Sequence, residues 1–221
     1  MLGHDLGTAI IVFLLFMGAL FVSDLPLVAS FGTAAAGAGA VAAFVLSSPN
    51  RLRRIAAALG GRSDASEADL LGTHWQSAHG EYALASGGIF GVGLGASREK
   101  WSWLPEAHND FIFAIIGEEL GLVGSLLVVG LFALLGWGLL RVSLRTEDAL
   151  MRITSMAVFM WVIGQAAVNI AVVIQLLPVI GVPLPFISSG GSALLASMAA
   201  LGVLLSFARR EPGAREAITA R

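Results

Sequence analysis

The residues able to do chemistry crowd into one polar stretch and the helix that follows it. Between positions 74 and 110 lie His74, Trp75, Gln76, His79, Glu81 and Tyr82. A run Gly87-Gly88-Ile89-Phe90-Gly91-Val92-Gly93-Leu94-Gly95 comes next, followed by Arg98-Glu99-Lys100 and Pro105-Glu106-Ala107-His108-Asn109-Asp110. Asp110 stands at the entrance to a strongly apolar segment, 111–117. Two compatible readings are open for it. A carboxylate there can cap a helix by accepting from the first free amides, or it can take a proton or bind a ligand. Glu118 and Glu119 follow about two turns deeper. Carboxylates inside an apolar span are costly and usually face a polar cavity, which makes both functional candidates; the alternative is an interfacial pair near a helix end. Gln165 and Asn169 are four apart and share a helix face, the spacing of interhelical hydrogen bonding. The uncharged stretch 184–192 is rich in hydroxyls and glycine. Ser188 and Ser189 there either help present backbone amides to an anion at the start of a helix or form a turn and cap.

Three familiar motifs do not fit. The glycine run lacks the βαβ context of a dinucleotide fingerprint, and no Gly-Lys-Ser/Thr exists to make a phosphate loop. His74 and His79 are five apart, which matches neither a helical metal pair nor the HExxH zinc motif.

The elements that must position these residues follow from composition. Of 221 residues, 57% are hydrophobic and 13% charged, with a mean hydropathy of +0.84. Soluble domains carry about 25% charged residues, so a soluble enzyme, a disordered tail and a nucleic-acid binder are excluded. The net charge of −2 provides no field to recruit polyanions. Cysteine is absent, which removes disulfides, thiolate nucleophiles and cysteine metal sites. Charge-free runs are long, and the longest, 153–208, is interrupted by Pro178, Pro183 and Pro185, where a helix must break. Apolar runs of about 20 residues predict transmembrane helices, and the alternation of a β-barrel is missing. The expected architecture is all-α and polytopic, with about five spans at 6–23, 28–48, 111–140, 154–177 and 191–208. Gly117, Gly121 and Gly124 are expected on one helix face, where small residues permit close packing.

Lys and Arg in short loops set orientation. Arg141, Arg145 and Arg152, and the tail 209–221 with Arg209, Arg210, Arg215 and Arg221, predict that the loop 141–152 and the tail are cytoplasmic. The stretch 50–109 is then one large extracytoplasmic loop. Arg51, Arg53 and Arg54 argue the other way, but long segments obey the rule weakly. Alternation places Met1 outside, directly before a span, so a piece lacking its first half is expected.

The block Trp103-Leu104-Pro105-Glu106-Ala107-His108-Asn109-Asp110-Phe111-Ile112-Phe113-Ala114-Ile115-Ile116-Gly117-Glu118-Glu119-Leu120-Gly121 resembles the SEDS family. Within it, the block is more like the division-type FtsW branch than the RodA branch. Asp5-Leu6-Gly7-Thr8-Ala9, Gly91-Val92-Gly93-Leu94-Gly95 with Lys100, and Pro183-Leu184-Pro185-Phe186-Ile187-Ser188-Ser189-Gly190-Gly191 extend the likeness over nearly the whole chain. Asn109 stands where the family usually has Thr, His4 where Pro is common and Ser189 where Tyr is frequent. The resemblance implies ten spans with cytoplasmic termini, of which this chain would cover six to ten. It implies a peptidoglycan glycosyltransferase that polymerises lipid II in the bacterial plasma membrane, at the division septum. Its partners would be a class B penicillin-binding protein and other divisome membrane proteins; no nucleic acid is involved.

In such a reaction the 4-hydroxyl of an acceptor sugar loses a proton as it attacks an anomeric carbon and a polyprenyl pyrophosphate departs. By the resemblance, Asp110 matches the family's essential aspartate and would be the general base, with metal ligation its competing role. Arg98 and Lys100 would face the leaving pyrophosphate. Glu106 and His108 would orient the acceptor or hold a divalent cation, Mg2+ or Mn2+, and Ser188 and Ser189 would contact substrate. Two other classes remain in view: a non-catalytic division scaffold that binds the transpeptidase, and a flippase or transporter for the lipid precursor.

Overall fold

The computed structural model describes residues 6–47, 73–101 and 103–210. His4, Asp5, the basic stretch 51–59, the polar patch 60–69 and the tail beyond 210 lie outside the described residues. Among the described residues all regular structure is helical: α1 (Leu6–Phe21), α2 (Leu27–Leu46), α3 (Thr73–Gly87), α4 (Ile112–Arg145), α5 (Ala149–Val173) and α6 (Gly191–Ala208). α4, α5 and α6 are long and apolar enough to cross a membrane, while α1 and the apolar part of α2, Val28–Ala43, are shorter. The fold is all-α and polytopic.

The outer surface explains the composition. Val28, Phe31, Leu127 and Leu195 are each more than half exposed. An apolar exterior of this kind is stable against lipid tails and unstable against water. The closely packed core is elsewhere, at the end of the molecule where α3, the start of α4, the end of α5 and the segment 178–190 meet. Ala83, Phe111, Ala114, Val173 and Leu184 are all but completely buried there. α1 packs along α5, so closely that a Cβ on Gly18 would overlap Met160.

Several element boundaries differ from expectation for identifiable reasons. α4 runs on to Arg145 and α5 starts at Ala149, so the expected loop 141–152 is reduced to residues 146–148. Asp148 makes this possible by capping α5, its side chain accepting from the Met151 amide at 3.0 Å. Arg152, one turn later, forms a two-oxygen ion pair with Asp24 at 2.7 and 2.8 Å, which places the α1–α2 turn and the α4–α5 turn at the same end. α5 ends at Val173, short of the prolines. The amides of Gln175 and Leu176 bond to the carbonyls of Val172 and Ala171, and Gln175 adopts φ +61°. These are the bonds of a Schellman stop, with glutamine in the left-handed position that glycine usually fills. Gln175 is held there by α3, since its side-chain Nε2 donates to the Ser77 carbonyl and to Glu81.

α4 has 34 residues, about 51 Å of helix at 1.5 Å per residue. A bilayer core of about 30 Å needs only about 20 of them. The charge-free stretch 120–140 is long enough alone, which leaves the first two turns, with Glu118 and Glu119, free to lie outside the hydrocarbon. The helix is also interrupted: Gly121 has φ 69° and ψ −165°. The close packing expected of Gly117, Gly121 and Gly124 takes another form at its middle member: Gly121 breaks the helix, and a Cβ there would overlap the backbone of Ile89 and Gly91.

Candidate active site and family

Residues 106–110 and the segment 181–190 are stitched together into one unit. Ser188 Oγ donates to the Asn109 carbonyl at 2.7 Å and accepts from the Leu184 amide at 2.7 Å. The Ser189 amide donates to the His108 carbonyl at 2.9 Å, and Ser189 Oγ donates to Asn109 Oδ1. Asn109 in turn donates from its side chain to Glu106 at 2.6 Å. Glu106 has φ 55°, and its carbonyl collects the amides of Asn109 and Phe111, folding 106–111 into a tight turn.

Asp110 lies at the seam. Its Oδ2 is 3.4 Å from where a Cβ on Gly181 would stand, and Gly181 has φ +72°. Its carbonyl accepts from Asn169 Nδ2 at 2.7 Å, and the same amide group donates to the Val182 carbonyl at 2.6 Å. One turn away on α5, Gln165 donates to the Pro183 carbonyl at 2.7 Å and accepts from Trp161. The polar pair expected to join helices therefore grips loop backbone instead. Buried carbonyls must be paired, and Pro183 and Pro185 interrupt the regular helix that would pair those of 181–185. The helix opens one residue later than the cap reading of Asp110 supposes: the cap position falls on Phe111.

The candidates of this first group are thus brought together, each in a specific way. Asp110 is half-buried at the seam, while Glu106 and His108 are exposed beside it. Ser188 and Ser189 hold the two segments together, and the Ser189 amide, for which an anion and a turn are both open readings in the sequence, donates to the His108 carbonyl. Among the described residues, no three His, Asp or Glu side chains converge to hold a metal ion.

Arg98 and Lys100 belong to a second unit, some two turns along α4 from Asp110. The break at Gly121 frees the carbonyls of Glu118 and Glu119 and the amides of Leu122 and Val123. The glycine run fills every one of these vacancies. Val92 and Gly93 donate to the Glu118 and Glu119 carbonyls, while Leu122 and Val123 donate to Gly88 and Ile89. Backbone contact this close excludes side chains, and a Cβ on Gly91 would overlap the Glu119 carbonyl. The carboxylates complete the clamp. Glu118, buried, accepts from Ser97 Oγ at 2.5 Å and from the Arg98 amide at 2.9 Å. Glu119 pairs with Lys100 Nζ at 2.5 Å. Both glutamates are engaged in this clamp, and the Lys100 charge is matched by Glu119. The Arg98 side chain is exposed.

A third group escaped the sequence reading. Trp75 and His79 of α3 stack with Trp103 from the turn before Asp110, and His79 Nδ1 is 2.5 Å from Glu99 Oε2. Trp75 and His79 are four apart on a helix, the one signal that could have paired them.

Comparison with known proteins agrees with this architecture. The sequence profile of the FtsW/RodA/SpoVE cell cycle proteins matches residues 1–212. A probable peptidoglycan glycosyltransferase FtsW of Mycobacterium tuberculosis is 41% identical over 98% of this chain and 40% of its own length. The stage V sporulation protein E of Bacillus subtilis is 42% identical over 75% of this chain and 44% of its own. A solved chain from work on the structural coordination of polymerization and crosslinking by a peptidoglycan synthase complex superposes with a TM-score of 0.65. It is 27% identical and covers 94% of this chain and 56% of its own. The chain thus spans about half the length of the relatives it matches. With the profile match running over almost its entire length, the chain belongs to the FtsW/RodA/SpoVE family.

Proposed function

We propose that this chain is the part of a peptidoglycan glycosyltransferase of the FtsW type that carries the catalytic base, polymerising lipid II into glycan strands for septal wall synthesis. The observation that carries the reading is Asp110. Its carboxylate lies against the Gly181 backbone, and Asn169 holds its carbonyl. A partly accessible carboxylate fixed by its main chain is suited to accept a proton from a positioned hydroxyl. The acceptor's 4-hydroxyl oxygen forms the new bond to the donor's anomeric carbon as the bond to the pyrophosphate oxygen breaks. The hydroxyl proton passes to Asp110, and the polyprenyl pyrophosphate leaves with the bonding electrons. A single displacement of this kind converts an α-linked donor into a β-linkage.

Glu106 and His108, exposed next to Asp110, are placed to orient the acceptor. Lys100 is matched by Glu119, so the exposed Arg98 is the better source of charge for the pyrophosphate. A Mg2+ or Mn2+ ion would draw most of its ligands from phosphate and water, as magnesium commonly does. The partner of this reading is a class B penicillin-binding protein, together with other divisome membrane proteins, in the bacterial plasma membrane at the septum.

The test is polymerisation of labelled lipid II by the purified chain with its cognate transpeptidase. Asp110→Asn is expected to lower turnover about 10²–10⁴-fold, the range of general base catalysis, with helical content unchanged. Turnover close to the parent's in that variant would remove Asp110 from the mechanism.

A further inference from the structure

The mechanism leaves one structured cluster unused: the aromatic group of Trp75, His79, Tyr82 and Trp103 with Glu99. The Trp103 ring is near-parallel to both His79, at 6.0 Å and 21°, and Trp75, at 6.4 Å and 23°. Trp75 and His79 are 4.2 Å apart, and Tyr82 meets His79 edge-on at 5.6 Å. Trp75 Nε1 donates to the Trp103 carbonyl at 2.7 Å, so the turn that carries the outer ring is tied to α3. Trp103 and Tyr82 are nonetheless each 55% exposed. Glu99 uses Oε2 on His79. Among the described residues neither its Oε1 nor the Tyr82 hydroxyl makes a hydrogen bond.

The Trp75 N–H is spent internally, and a carboxylate–imidazole pair is held beside the rings. That is a flat, pre-stacked π surface with hydrogen-bonding groups at its rim. Its chemical complement is a pyranose, which presents axial C–H bonds on a face and polar groups around its edge. The ring face carries the negative side of the aromatic quadrupole and attracts such C–H bonds. An ionised carboxylate only accepts hydrogen bonds, so Glu99 suits a sugar edge bearing an acetamido N–H and hydroxyls. The platform adjoins the candidate site: a Cβ on Gly80, next to His79, would stand 3.1 Å from the ring of Phe111, the neighbour of Asp110.

We propose that the exposed side of Trp103, with Glu99 and Tyr82 at its rim, is a saccharide subsite that takes a β-configured N-acetylhexosamine unit of the glycan. The assignment rests on the glycosyltransferase reading and gives it a second, non-reacting contact with the sugar chain.

The test is binding, so it does not depend on turnover. Saturation-transfer NMR of chitotetraose is recorded with the purified chain in detergent micelles. Saturable binding is expected, with transfer strongest to the axial protons H1, H3 and H5 of one pyranose face. Trp103→Ala should weaken it about five- to tenfold, the worth of an aromatic contact, and Trp103→Phe should restore most of it. Tyr82→Phe, which removes one surface hydroxyl and carries little folding risk, should weaken it severalfold. No saturable binding by the parent chain overturns the proposal, as does parental binding in both Trp103→Ala and Tyr82→Phe. Asp110→Asn separates the two readings: loss of polymerisation with chitotetraose binding intact supports both. A polymerising chain that does not bind chitotetraose overturns the subsite alone.

Discussion

The side-chain amide of Asn169, 1% exposed on α5, bonds to the main-chain carbonyl of Asp110 at 2.7 Å, across 59 residues of sequence. Its second hydrogen goes to the Val182 carbonyl, so one amide group fixes both walls of the seam in which the Asp110 carboxylate lies.

Asn169→Leu strands two carbonyls at about 1–3 kcal/mol each, a loss of about 2–6 kcal/mol. Asn169→Asp has the same shape but, when ionised, presents oxygens to both carbonyls and should cost at least as much. Thermal unfolding in detergent, followed by circular dichroism, measures both. An aspartate variant as stable as the parent would show that the amide hydrogens do not hold the seam.

The pair Lys100–Glu119 is mostly shielded, with side-chain exposures of 16% and 14%. Lys100→Met leaves a largely buried carboxylate without its partner and should destabilise by about 3–5 kcal/mol. Lys100→Met with Glu119→Gln should recover much of that loss. If Lys100 instead serves the substrate, the single variant will keep its stability and lose turnover. A double-mutant cycle that compares unfolding with lipid II polymerisation separates these outcomes.

Gly91→Ala tests the clamp on the broken helix. Gly91 has φ +80°, and a Cβ there would overlap the Glu119 carbonyl. The left-handed backbone alone costs about 1–2 kcal/mol, and the overlap adds to it, so a total above about 3 kcal/mol is expected. Gly95 also has φ +80° but open space around it, so Gly95→Ala should cost only the backbone part. Equal losses in the two variants would mean that close approach to Glu119 contributes nothing.

The two serines should respond unequally. Ser188→Ala breaks bonds to the Leu184 amide and the Asn109 carbonyl and should cost about 1–3 kcal/mol. Ser189 is exposed and joins the seam mainly through its amide, which Ser189→Ala keeps, so less than about 1 kcal/mol is expected. Parallel unfolding curves give the comparison; a larger loss at Ser189 would contradict the hydrogen-bonding pattern.

Much of this protein was legible in the residues themselves. Low charge and long apolar runs dictate membrane helices because lipid cannot satisfy a free backbone, and nothing beyond the chain is needed to see it. The motif around Asp110 identified the family and singled out the aspartate. Tertiary structure decided how the remaining polar residues are used. Glu118 and Glu119 read as intramembrane functional groups until the glycine run is seen to fill the break at Gly121, because that exchange joins backbone atoms some 30 residues apart. Lys100 reads as a free cation until it meets Glu119, and Ser188 as a ligand-binding hydroxyl until it meets Asn109. Gln165 and Asn169 show their shared face by spacing, but their partners are loop carbonyls, which leave no pattern in sequence. The aromatic cluster joins Trp75 to Trp103 over 28 residues. Periodicity reports which side of a helix is apolar; which distant backbone group a polar side chain satisfies is settled only when the helices pack.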